Sequence, residues 1–188
     1  MGRSMAPTGS QTLSAVVRAY GEQLPRVRAA VNGGPKDAGY VAVTVGTTLT
    51  YCYDLLAVES YAKAWAEAMT RPTQWLAEST DELPHGNGCQ LTVQVSVVGT
   101  QPTDVRLVAA QASPEGRAHI AVRVGRVVTV VFDRLALAGY RQAWAEALDY
   151  ARRIFSNPEP DAFDEIENRI RERERRHFER TGQLPAPR

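Results

Sequence analysis

Cysteine and histidine are nearly missing from this chain, which holds two cysteines and three histidines among 188 residues. Cys52 and Cys89 form no CxxC pair, and His85, His119 and His177 are scattered, so neither a zinc site nor a disulfide framework can be assembled from them. The two cysteines read as a small apolar core residue and a reduced thiol, and neither metal nor cofactor is expected. Long apolar runs are missing as well. None approaches the roughly 20 residues needed to cross a membrane, and the N-terminus lacks the order of a signal peptide, so a cytoplasmic location without a membrane partner is expected. Excess charge is scarce: 22 basic against 21 acidic residues leave a net +1, which argues against a strong non-specific binder of nucleic acid. Catalytic signatures are also lacking, with no glycine-rich phosphate loop, GxSxG, HExxH or cysteine–histidine arrangement. Gly33-Gly34 lies between expected strands and reads as a hairpin turn. The chain is therefore read as a non-enzyme.

What the chain does have is one stretch written twice. Residues 41–69 (VAVTVGTTLTYCYDLLAVESYAKAWAEAM) and 120–148 (IAVRVGRVVTVVFDRLALAGYRQAWAEAL) align at an offset of 79. The identities are Ala42, Val43, Val45, Gly46, Thr50, Asp54, Leu56, Ala57, Tyr61 and the run from Ala64 to Ala68, 14 of 29 positions. Upstream the match continues at an offset of 78, with residues 13–21 (LSAVVRAYG) against 91–99 (LTVQVSVVG). Such density marks an internal duplication, so the fold is two copies of one unit.

Residues 91–98 alternate, with Leu91, Val93, Val95 and Val97 on one face, which is a strand signature. Residues 10–30 alone could pass for an amphipathic helix, but the repeat partner makes this segment β-rich as well. Copy one is expected to form strands over 13–20, 26–31, 40–45 and 48–53 and a helix over 58–69. Copy two gives strands over 91–98, 105–111, 119–124 and 127–132 and a helix over 137–155. Short links carrying Gly and Pro imply an antiparallel meander in each copy. The expected class is α+β: two tandem ββββα repeats, each an antiparallel four-stranded sheet covered by a helix.

Tyr61, Ala64, Trp65 and Ala68, with Tyr140, Ala143, Trp144 and Ala147, recur at helical spacing and form the stripe that packs on the sheet. Core packing explains both tryptophans more simply than a stacking role. Asp54 and Asp133 precede the helices and read as caps or turn formers rather than catalytic acids. With Val43, Val45, Tyr51 and Tyr53 assigned inward, Thr44, Thr48 and Thr50 point outward, as do Arg123 and Thr129 in copy two. The first two strands then expose Arg18, Tyr20 and Arg28, followed by Gln94, Ser96 and Arg106. Arg126 sits in the adjoining turn.

Four strands and a helix, present twice, resembles the repeat of the PUR proteins and is similar to the unit of the Whirly and PC4-type single-stranded DNA-binding families, over about residues 13–155. The resemblance is one of topology, with no shared motif. It implies intertwined repeats forming a pseudo-dimer that holds nucleic acid on curved sheet faces. Arg18, Tyr20, Arg28, Arg106, Arg123 and Arg126 are the candidate nucleic-acid-binding residues, with single-stranded DNA the expected partner. Copy two (residues 89–156) carries eight basic against five acidic residues, while copy one (residues 11–70) has five of each, so binding is expected to favour copy two. The alternative is a non-enzymatic interaction module that homo-oligomerises through its sheets or C-terminal helix.

The expected organisation is a disordered segment over 1–10, the first repeat over 11–70, a linker over 71–88, the second repeat over 89–156 and a charged helical tail over 157–188. Met1 to Ser4 precede a second methionine, Met5, and read as an addition ahead of the natural start. Pro72 ends the first helix, and Trp75 and Leu76 are expected to pack back onto the body. The tail carries supportive Glu–Arg pairs four residues apart, such as Glu172 with Arg176.

Overall fold

A computed structural model of the chain describes residues 15–30, 39–80 and 92–156, together with 172, 175 and 176. The expected disordered segment over 1–10 and nearly all of the expected tail helix lie outside the described residues. At positions 172, 175 and 176 the backbone is helical, and Glu172 pairs with both Arg175 (2.7 Å) and Arg176 (3.1 Å).

The expected α+β content is present as two four-stranded sheets and two helices. Copy one gives β1 (Ala15–Ala19), β2 (Arg26–Ala30), β3 (Tyr40–Val45), β4 (Thr48–Cys52) and α1 (Leu55–Thr70). Copy two gives β5 (Val93–Val97), β6 (Thr103–Val108), β7 (His119–Val124), β8 (Val127–Val131) and α2 (Arg134–Ser156). Both helices begin three residues before the periodicity suggests, because Asp54 and Asp133 each accept an N–H from the first turn. The strand expected over 105–111 stops at Val108 and gives way to a 3-10 turn at Ala110–Ala112.

The meander expectation fails at the first strand of each copy. The sheet orders are β1-β8-β7-β6 and β2-β3-β4-β5, so β1 joins the sheet of copy two and β5 the sheet of copy one. Both exchanged strands run parallel to their new neighbours, which makes the sheets mixed rather than antiparallel. Ala15 lies opposite Val127 in one sheet and Val93 opposite Thr48 in the other, which is the same pairing under the repeat offsets. A chain that exchanged strands by accident would have no reason to reproduce one register twice.

The helices are exchanged too. α1 lies on β6 and β7, and α2 lies on β2 and β3, so each sheet is covered chiefly by the other copy's helix. The two helices also pack on one another, and all of these elements share one core. Tyr61 stacks on Trp144 and Trp65 on Tyr140, with all four rings buried. Where the core is this dense, Gly139 of α2 lets the helix approach the backbone carbonyl of Gln23, which would stand 2.9 Å from any added Cβ. At the equivalent place in α1, Ser60 instead uses its hydroxyl oxygen to accept the Gln101 N–H at 3.0 Å.

The segment after α1 docks partly as expected. Pro72 follows the last turn, and Leu76 is buried, but Trp75 is 65% exposed. The reason is that chain direction is set by Ala77 and Glu78, whose carbonyls accept the free N–H groups of Arg134 and Leu135 at the start of α2. That attachment draws Leu76 inward and leaves its neighbour pointing out.

Candidate functional site

Asp133 shows how exchange is held in place. It is fully buried, and its Oδ1 caps α2 by accepting the Ala136 N–H at 2.8 Å. Its Oδ2 accepts the N–H groups of Gly21 (2.6 Å) of copy one and Thr80 (3.1 Å) of the segment between the copies. Asp54 does the same in reverse, accepting from Ala57 (2.7 Å) in its own helix and from Gly99 (2.5 Å) of copy two. Gly21 and Gly99 end the exchanged strands with φ of +66° and +69°, a conformation that costs glycine least. Each aspartate thus ties its own helix to the end of the strand received from the other copy. Both carboxylates serve as helix caps and as ties between the copies.

A cavity of about 20 Å³ lies among Thr48, Thr50, Thr129 and the four stacked rings, no larger than a single water needs. An open trough along α2 is lined by Met69, Arg141, Glu146 and Asp149, a mixture of charges with no enclosing wall. Among the described residues no group of three or more His, Cys, Asp or Glu side chains could hold a metal ion, and no helix is long and apolar enough to cross a membrane. Cys52 is buried, and burial, with Asp54 nearby, pushes its thiol up to about 12, so it stays protonated and unreactive.

On the two outer sheet faces one expectation needs correction. Thr48, Thr50 and Thr129 are buried and face the core, whereas Tyr51 is half-buried and Tyr53 is 37% exposed on the opposite side. The parity follows from the two-residue turn, which pairs Val45 with Thr48 and Val43 with Thr50, so all four share one face. In copy two the same turn pairs Val122 with Thr129. The assignment of Tyr51 and Tyr53 to the core is therefore reversed.

On the sheet of β1, β8, β7 and β6, one cross-strand row runs Arg18, Val130, Ala121, Arg106, and the next runs Val16, Val128, Arg123, Asp104. Strand exchange brings Arg18, from copy one, onto the same face as Arg106 and Arg123, with Arg126 exposed in the adjoining turn. Arg18 donates to Glu115 at 2.8 Å and Arg106 pairs with Asp104 at 2.7 Å, while Arg123 Nε donates to the Gly125 carbonyl at 3.1 Å. Tyr20 follows β1 on this same sheet, half-buried, and its carbonyl accepts from the Gln23 amide. It does not stand on a face of copy one as expected.

On the sheet of β2, β3, β4 and β5, one row runs Arg28, Ala42, Tyr51, Ser96 and the next Arg26, Thr44, Leu49, Gln94. Arg28 is thus separated from the other candidate arginines, in a different sheet. Its neighbours are tyrosines that the sequence reading missed. Tyr40 meets Tyr51 edge-on (5.3 Å between centroids, 70°) and Tyr53 likewise (6.2 Å, 63°). The turn parity was the signal that could have found them. No protein-family model, curated protein or solved structure matches the chain significantly.

Proposed function

We propose that this protein binds single-stranded nucleic acid on the outer faces of its sheets, with the two copies acting together as a pseudo-dimer. The observation that carries this reading is the gathering of Arg18, Arg106 and Arg123 on one face by strand exchange, beside Arg126. Val16, Val128 and Val130 lie between these cations and form an apolar floor on which a strand can rest. Two of the arginines are paired with carboxylates, but the pairs are exposed, and such pairs contribute about 0–1 kcal/mol. A phosphate can therefore displace the carboxylate at little cost, and counterion release favours the exchange. The near-neutral chain makes this a modest, polarised binder rather than a tight non-specific one.

Fluorescence anisotropy with labelled single-stranded and duplex DNA, repeated across salt concentrations, tests the reading. Single strands should bind more tightly than duplex, and an Arg106→Ala/Arg123→Ala variant that stays folded should lower the salt slope by about one per lost contact. Absence of binding to any oligonucleotide at low salt overturns it and leaves self-association, read by sedimentation, as the use of these faces.

A further inference from the structure

The two outer faces differ in chemistry, and the difference lies where the scaffold does not require it. The registers, the capping aspartates and the stacked rings of the core are duplicated. On the outer faces only Arg28 with Arg106 and Ala42 with Ala121 are kept between equivalent positions. Where copy two has His119, Val130 and Phe132, copy one has Tyr40, Tyr51 and Tyr53. In copy two the site is closed: Phe132 is buried against His119 (5.4 Å between centroids), and His119 is buried beside Ser113 at 3.3 Å. In copy one Tyr53 remains 37% exposed. Copy two meets the structural role with a histidine, a valine and a phenylalanine, so the three hydroxylated rings of copy one answer to something outside the core.

We infer that the face of β2, β3, β4 and β5 is the base-stacking half of the nucleic-acid site, with Tyr51 and Tyr53 as platforms and Arg26 and Arg28 as phosphate partners. This rests on the reading of the protein as a single-strand binder. The outward strand positions of this face carry Arg26 and Arg28 and no acid, which suits a polyanion. Tyr40 touches both neighbouring rings edge-on, which limits their rotamers before a ligand arrives and reduces the ordering cost on binding. Ala42, which stands between Arg28 and Tyr51 in the row, is itself covered, so a base is held on the exposed ring of Tyr53 rather than above Ala42. Duplex bases are already stacked and cannot use such a platform, so the face selects single strands.

The test compares a labelled oligothymidine with an abasic strand of the same length and charge, using the full chain, Tyr53→Ala and Tyr51→Leu, with thermal melts as a check of folding. The parent should prefer the strand with bases by about tenfold or more, and each folded variant should lose roughly tenfold on oligothymidine, leave the abasic strand unaffected and keep the parent's salt slope. Equal affinity of the parent for both strands, or unchanged affinity of Tyr53→Ala, overturns the stacking assignment while leaving the single-strand reading intact. Failure of the parent to bind either strand overturns that reading itself.

Discussion

Tyr61 of α1 lies flat on Trp144 of α2, with 4.1 Å between ring centroids and 16° between planes, and Trp65 meets Tyr140 in the same way at 4.3 Å and 22°. In each pair one ring comes from either copy, so neither helix completes its own core. Truncating Trp144 to Ala should destabilise the whole protein by roughly 3–5 kcal/mol, since a large buried ring leaves a cavity. Urea unfolding should remain a single transition, because the lost contacts belong to both copies. A double-mutant cycle with Tyr61 should report coupling of about 0.5–1.5 kcal/mol.

Asp133 and Asp54 predict a graded pair. Asp133→Ala orphans three N–H groups around a fully buried site and should cost about 3 kcal/mol or more, whereas Asp54→Ala orphans two at a half-exposed one and should cost less. Denaturant midpoints order the two. Equal losses would count against the role assigned to the Thr80 bond.

Gly139→Ala should destabilise by about 1–3 kcal/mol, because the new methyl meets the Gln23 backbone, which cannot swing aside as a side chain would. Ser60→Ala, at the equivalent place in α1, removes the acceptor for the Gln101 N–H and a donor to the Leu56 carbonyl, without a clash, and should cost about 1 kcal/mol.

Alkaline pH should unfold the protein. Burial pushes the Tyr140 phenol from its ordinary 10 up to about 12, and the Tyr61 phenol is raised by burial, with Cys52 adding. Below pH 10 both are neutral in either state, and their contribution to stability is complete. As pH rises above 10 the unfolded chain sheds these protons first, so folding loses roughly 1.4 kcal/mol per pH unit per phenol until the folded groups ionise. Cys52, raised from 9 to about 12, starts the decline one unit earlier. Melting temperature against pH should fall from about pH 9, and a Tyr140→Phe variant should fall less steeply.

Asp104→Asn should strengthen oligonucleotide binding by releasing Arg106, raising the salt slope by up to about one. Anisotropy titrations at two salt concentrations measure it. A weaker complex would mean that Asp104 positions Arg106 for the ligand instead of competing with it.

The sequence by itself determined the duplication, the element types and most boundaries, and the capping role of Asp54 and Asp133. These depend on local periodicity and on residues within one turn of each other. It also contained the parity of β4, because the two-residue Gly46-Thr47 turn puts Thr48 and Thr50 on the face of Val45 and Val43. That signal was overridden by side-chain character, since tyrosine looks more apolar than threonine. Only the tertiary structure decided which sheet β1 and β5 enter. A five-residue strand with a short link reads equally well as a hairpin or as a crossover, and nothing local distinguishes them. The choice is made by groups 112 and 45 residues away, the carboxylate of Asp133 that waits for the Gly21 N–H and that of Asp54 for Gly99. The grouping of Arg18 with Arg106 and Arg123, and of Arg28 with three tyrosines, follows from that long-range choice and could not be read from any window of the chain.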